Sequence, residues 1–229
     1  LGPMDAGRSP KITGTGIRIP HNEITDQSNL DQDGAIYTEG DRRLLFKRAN
    51  RLWHTDMSFR QVRATYSLLA AHEIPPRGGN TEFASTRLAY EILTEDEKEK
   101  LEGLEVDHDI RFSRGLTGYK YDEAAGKGFI TARHKLVRTN PGNGRKSLLI
   151  GVHAMAIVGW DEGESRALLD DLTARAEKVI YSHKWRNDDV IVWDNQAAVH
   201  RATPFDNTRY RRLMQRTTIA LEGAWPTMN

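Results

Sequence analysis

Short β-capable runs, each cut off by glycine, proline or asparagine, recur along the chain, and this punctuation limits the fold more than any other feature. Ala64–Ile74 is apolar and stops at Pro75-Pro76 and Gly78-Gly79. Ser147–Ala154 lies between Gly144 and Gly159, and Ile180–Trp185 and Val190–Asp194 flank a polar Asn187-Asp188-Asp189 turn. Leu213–Leu221 reads as the last strand, and shorter strands are expected near Thr15–Ile19 and Gly34–Thr38 in an otherwise irregular first fifty residues. Helices are few. Thr94 and Glu97 form a capping box opening a charged helix through Leu104. Glu164–Val179 places Leu168, Leu169, Leu172, Ala176 and Val179 on one stripe. Residues 105–135 mix charges, glycines and aromatics without a period and read as a long surface loop or lid. Many short strands with a few outer helices predict a mainly β (α+β) domain, either a sandwich or a jelly roll.

Composition narrows the function. The 229 residues show no second domain, and 33 basic against 32 acidic residues leave a net charge of +1. A chain so balanced has no global electrostatic reason to bind nucleic acid or an anionic membrane. No apolar run is long enough for a membrane-spanning helix. Leu1-Gly2-Pro3-Met4-Asp5 has neither the charged nor the apolar region of a secretory signal, so a cytoplasmic protein is expected. The absence of cysteine removes disulfides, thiolate metal ligands and cysteine nucleophiles.

What remains for chemistry is histidine, carboxylate and arginine. In His54-Thr55-Asp56, residues two apart share a strand face and can reach one metal ion. One such pair is close to what chance supplies, and a surface hydrogen bond explains it equally well. His200 follows the apolar run Val190–Asp194 and could equally be a satisfied structural histidine. Together, two histidines and one carboxylate form the ligand set that suits non-haem Fe(II), with three coordination positions left open. In Arg211–Leu221, residues 212, 214, 216 and 218 share a face. Arg212 and Arg216, if buried, need anions, and guanidinium clamps carboxylates bidentately. A solvated edge strand is the alternative. Gly78-Gly79-Asn80-Thr81 allows close backbone approach, with a threonine hydroxyl to assist at a carboxylate, although such a segment is usually only a turn.

The ordered set says more than its parts. His54-x-Asp56, Thr81 at +27, His200 at +146, then Arg212 at +12 and Arg216 at +16 from His200 resembles the Fe(II)/2-oxoglutarate dioxygenases of the taurine dioxygenase and 2,4-dichlorophenoxyacetate dioxygenase family. The flanking runs Asn50–Phe59, Pro75–Phe83, Leu136–Thr139 and Trp193–Asn195 share its look. The likeness covers roughly residues 50–222 and is nearest the aryloxyalkanoate branch.

The resemblance implies a double-stranded β-helix, or jelly roll, with flanking helices and Fe(II) at its mouth. His54, Asp56 and His200 would be the catalytic metal ligands. Arg212 would bind the distal carboxylate of 2-oxoglutarate, with Thr81 assisting; some relatives place that arginine one residue earlier, at Arg211 here. Arg216 would bind a small anionic organic substrate, and Asn50 lies where the family often has a substrate contact. O2 would be the second cosubstrate. An aryloxyacetate would give a phenol and glyoxylate, with succinate and CO2 released. A single domain over residues 1–229 is expected, lacking the N-terminal segment usual in the family, and relatives are often dimers or tetramers. Rival readings are a taurine, alkylsulfonate or other small-carboxylate dioxygenase, a non-catalytic jelly-roll binding protein, and a zinc hydrolase on the same ligands. His21, His72, His108, His134, His153 and His183 are assigned to packing or surface, with His108 and Arg111 close enough in the presumed lid to touch substrate. Trp53 and Trp193 are expected as core beside the site.

Overall fold

The ten-residue strand β2 (Ala64–Glu73) is the spine of the larger sheet. The structure is a computed structural model and describes residues 2–5, 18–122 and 130–220. β2 pairs antiparallel with β12 (Leu213–Ala220) on one side and β10 (Val190–Asp194) on the other, and β1 (Thr25–Asp26) closes the β12 edge. A second sheet has the order β11 (Ala198–Ala202), β3 (Thr81–Ser85), β9 (Ile180–His183). Leu69, Ala71, Trp193 and Met214 from the first sheet pack with Phe83 of the second and with Trp185 beyond β9. Two sheets sharing one apolar layer, without closure into a barrel, make the expected jelly roll.

A second core lies under the helices. α2 (Thr86–Glu91), α3 (Glu95–Leu101) and α5 (Glu162–Ala176) enclose Val106, Leu136, Leu148, Ile157, Leu169 and Val199. α3 starts at the expected capping box, with the Thr94 amide donating to Glu97 over 2.8 Å and the Glu97 amide donating back over 3.2 Å. α1 (Arg42–Arg48) and the 3-10 turn Ala49–Arg51 lead the chain to His54.

Several expectations need correction. The two ends of the expected surface loop or lid over 105–135 are regular structure: β4 (Glu105–His108) pairs with β5 (Ala132–Lys135) and β8 (Ala154–Ile157), and α4 (Ile110–Gly115) follows β4, while residues 123–129 fall outside the described residues. β4 is four residues long and turns Val106 and His108 inward, so its alternation is half polar and does not register as a strand. His108 is sealed in the interior and Arg111 pairs with Asp109, so neither meets its expectation as a substrate contact from a lid. Ser147–Ala154 divides into β7 (Lys146–Leu148), which pairs with β6 (Val137–Thr139), and β8, with Gly151 at φ +105° between them. α5 ends at Ala176, so Val179 leaves the apolar stripe and is 59% exposed. Gly34–Thr38 gives only an isolated bridge between Leu30 and Ile36, Arg18 and Ile19 lie in a bend, and Thr15–Ile17 and Leu221 fall outside the described residues.

Candidate metal centre

His54 and His200 face each other as a mutually hydrogen-bonded cross-strand pair. The His54 amide donates to the His200 carbonyl over 3.0 Å, and the His200 amide donates back over 2.9 Å. Residues paired in this way put their side chains on the same face, and the two rings lie 4.2 Å apart between centroids. Asp56, two residues on, joins them just before the chain turns at Met57, which has a φ of +57°. The three side chains are buried, and one donor atom from each lies within 4.8 Å of the others.

The donor chemistry fits a divalent cation. His54 Nδ1 is 2.8 Å from the Leu52 carbonyl, which can only accept, so Nδ1 carries the proton and Nε2 offers its lone pair. Burial lowers the pKa of both histidines, that of His200 to about 3, so neither ring is cationic at neutral pH. Burial alone would raise the Asp56 pKa; the Arg216 guanidinium, with His200, His54 and Ser67, overcomes it and holds it at about 2. Two neutral imidazoles and one carboxylate leave a buried −1 charge beside a +1 arginine, and three protein donors on one ion would leave coordination positions open.

Asp56 is held by a relay. Trp193 Nε1 donates to Asn195 Oδ1 over 3.0 Å, Asn195 Nδ2 donates to Ser67 Oγ over 2.8 Å, and the Ser67 hydroxyl donates to Asp56 Oδ2 over 2.7 Å. The Asp56 amide also donates to Asn195 Oδ1, over 3.3 Å. β2 and the end of β10 thus fix the carboxylate from the far sheet. Gly151 fits against the other side, where an added Cβ would lie 2.8 Å from the Trp53 carbonyl and 3.1 Å from His54 Cα.

The two inward arginines differ. Arg216 Nη1 donates to Asp56 Oδ1, while its Nε is buried without a partner. Arg212 is only 8% exposed, donates through Nε to the Gly79 carbonyl over 3.2 Å, and has no carboxylate partner among the described residues. Gly79, at φ +69°, has room for that contact only because it lacks a Cβ, which would lie 3.3 Å from Arg212 Nε. Arg211, by contrast, is exposed and pairs with Glu73 at 2.9 Å. Thr81 is buried and accepts from Trp185 Nε1 over 3.0 Å, leaving its own hydroxyl proton to donate. A cavity beside Arg212 is lined by Lys47, Asn50, Ala202 and Thr203 but not by the three metal ligands themselves. Asn50 Oδ1 accepts from Arg114 Nη1 over 3.0 Å and its Nδ2 donates to Gln27 over 3.3 Å. The cluster therefore gathers His54, Asp56, His200 and Arg216 directly, with Arg212 and Asn50 on one adjoining cavity and Thr81 at the neighbouring strand start. Trp53 and Trp193 are buried beside it as expected. Ser67, Asn195, Lys47 and Arg114 have no role in the sequence reading; an inward-turned charge on a helix as short as those carrying Lys47 and Arg114 leaves no sequence signal.

Many known proteins resemble the chain in sequence or in fold. The profile of the family described as taurine catabolism dioxygenase TauD, TfdA family, matches residues 10–218. The α-ketoglutarate-dependent 2,4-dichlorophenoxyacetate dioxygenase of Burkholderia sp. (strain RASC) is 39% identical over 91% of this chain and 71% of its own length. The (S)-phenoxypropionate/α-ketoglutarate-dioxygenase of Sphingobium herbicidovorans is 36% identical over 90% of this chain and 75% of its own. Among solved structures, AAD-2 in complex with Mn(II) and N-oxalylglycine superposes with a TM-score of 0.83 at 39% identity, covering 90% of this chain and 76% of that one. With the ligand geometry, sequence and fold in agreement, the chain belongs to the TauD/TfdA family of dioxygenases.

Proposed function

We propose that the protein is an Fe(II)- and 2-oxoglutarate-dependent dioxygenase of aryloxyalkanoate carboxylates, with an aryloxyacetate such as 2,4-dichlorophenoxyacetate as the reference substrate. Family membership makes it a 2-oxoglutarate-dependent dioxygenase acting on a small anionic substrate. The observation that carries the reading is the buried His54–Asp56–His200 cluster, whose donor atoms converge within 4.8 Å next to Arg216, which pairs with Asp56 through Nη1 and has an unpartnered Nε. Bound Fe(II) supplies oxygen activation coupled to conversion of 2-oxoglutarate and O2 into succinate and CO2.

The chain's own residues do the rest. His54, Asp56 and His200 hold the ion, and the relay through Ser67 keeps Asp56 oriented. Arg212, buried beside Gly79 and near Lys47, binds the distal carboxylate of 2-oxoglutarate, with the free Thr81 hydroxyl proton assisting; the exposed Arg211–Glu73 pair supports Arg212 over Arg211 for this role. Arg216 presents its unpartnered Nε to an anion at the centre, and Asn50 contributes to the substrate side. Hydroxylation of an aryloxyacetate at the carbon between ether oxygen and carboxylate gives a hemiacetal, whose C–O bond breaks to release a phenol and glyoxylate. A cytoplasmic location and a homo-oligomer belong to the same proposal; among the described residues no helix is long and apolar enough to cross a membrane. The test is succinate release over phenoxyacetates, phenoxypropionates and alkylsulfonates. Wild type is expected to turn over an aryloxyalkanoate and His200→Ala to be inactive; turnover retained by His200→Ala would overturn the ligand assignment, and turnover of sulfonates alone would overturn the substrate class.

A further inference from the structure

Arg114 is a further buried cation, joined through Asn50 to the cavity that Arg212 lines, and it has no carboxylate ion-pair partner among the described residues. α4 opens at Asp109, whose side chain caps the Arg111 amide and pairs with the Arg111 guanidinium. Near the other end of the helix Arg114 turns inward and is buried. Its Nη1 donates to the Phe46 carbonyl over 3.1 Å and to Asn50 Oδ1 over 3.0 Å, while its buried Nε has no partner. Among the described residues no carboxylate forms an ion pair with it. Through Asn50, which lines the cavity together with Arg212, the guanidinium is tied to the cavity wall. Burial draws its pKa down only to about 10, leaving it cationic at neutral pH.

A buried guanidinium without a counter-ion is costly unless an anion arrives. Arg216 already spends one donor on Asp56, and Arg212 donates to the Gly79 carbonyl and lines the same cavity as Asn50. Arg114 also has aromatic company: its guanidinium lies 4.2 Å from the Phe46 ring centroid, and Phe46, Tyr119 and Tyr121 meet edge to face with centroids 5.1–6.4 Å apart. Cation and aromatic surface together suit an aryl group joined to a carboxylate by a short spacer.

We propose that Arg114 binds the carboxylate of the primary substrate and sets the preference for aryl carboxylates, with Asn50 as its positioning residue. This rests on the dioxygenase reading above. The experiment is calorimetric titration of the protein loaded with Mn(II) and 2-oxoglutarate, using phenoxyacetate and its neutral analogue 2-phenoxyethanol. Arg114→Gln is expected to weaken phenoxyacetate binding at least about tenfold, the loss of a charge-assisted contact, while leaving 2-phenoxyethanol and 2-oxoglutarate affinities unchanged. Unchanged phenoxyacetate affinity in that variant, or equal losses for both ligands, overturns the assignment of Arg114 and leaves the dioxygenase reading standing. Absence of phenoxyacetate binding by wild type overturns the aryloxyalkanoate reading and Arg114's role with it. Should Arg114→Gln not fold, Arg114→Lys keeps the charge without the planar fork. It is expected to lose phenoxyacetate affinity selectively, and wild-type discrimination between the two ligands in that variant contradicts the proposal.

Discussion

Ser67, on β2, donates its hydroxyl proton to Oδ2 of Asp56 over 2.7 Å, and Asn195 holds Ser67 for that purpose from the end of β10. A ligating carboxylate whose outer oxygen is fixed presents the same lone pair to the ion each time. Ser67→Ala removes the bond and little volume. Metal affinity is expected to fall about 10–100-fold, the range for loss of an outer-shell partner. Calorimetry with Mn(II) on the variant decides it, and wild-type affinity would show that Arg216 and Asn195 orient Asp56 without Ser67.

How much of this was legible follows from where each signal resides. The long strands β2 and β12, the short apolar run of β10 and the helix α5 carry enough apolar residues to be read directly, and the spaced His54, Asp56, His200, Arg212 and Arg216 form an order that chance does not supply. β3 and β11 do not read as strands, because each has only two buried positions and in each one of the two is a site residue, Thr81 beside Ala84 and His200 beside Val199. β4 hid its alternation behind His108. Ser67 and Asn195 are small polar residues whose meaning exists only once β2 and β10 are adjacent, a pairing separated by more than a hundred residues. Arg114 and Lys47 lie on helices shorter than eight residues, where no hydrophobic period marks which side is buried. Gly78-Gly79 reads as a turn and is one, yet its functional content is the missing Cβ facing Arg212.

Gly151 packs its α-carbon against the Trp53–His54 backbone, at a φ of +105° that L side chains rarely adopt. An alanine there meets the Trp53 carbonyl at 2.8 Å, and neither backbone can yield without shifting His54. Gly151→Ala is expected to cost about 2 kcal/mol, a fall in melting temperature of roughly 4–8 °C, together with weaker metal binding. Gly103→Ala, at φ +81° with nothing within 4 Å, isolates the backbone part of that cost. Equal melting temperatures and equal Mn(II) affinities for the two variants would rule out the steric account.

Lys47 lines the same cavity as Arg212, and burial lowers its pKa from 10.5 to about 8, against a smaller pull upward from Asp26. Two consequences follow with opposite sign. Between pH 8 and 10.5 the unfolded chain binds the proton and the folded chain does not, so this group's contribution to stability rises with pH across that window. Anion binding goes the other way, because the ammonium is lost as pH passes 8. The dissociation constant for 2-oxoglutarate is expected to rise above pH 8 in wild type and to stay flat over that range in Lys47→Met. A wild-type constant that does not change between pH 7 and pH 9.5 would remove Lys47 from the cosubstrate site.

Arg216 poses the sharper question, since the group proposed to meet an anion is already paired with a metal ligand. In the metal-free protein its guanidinium is the principal positive charge acting on buried Asp56. Arg216→Ala therefore leaves a buried carboxylate with no strong counter-charge, and breaking such a pair costs about 3 kcal/mol. A divalent ion restores the missing charge, and it does so without repulsion from a neighbouring arginine. The variant is thus expected to melt several degrees lower than wild type when metal-free, to regain most of that difference with Mn(II), and to bind Mn(II) at least as tightly as wild type. Its affinity for an anionic substrate falls in the same preparation. Loss of Mn(II) binding in Arg216→Ala would mean that the arginine shapes the metal site itself, and the anion would then have only Arg114 and Arg212 to meet it.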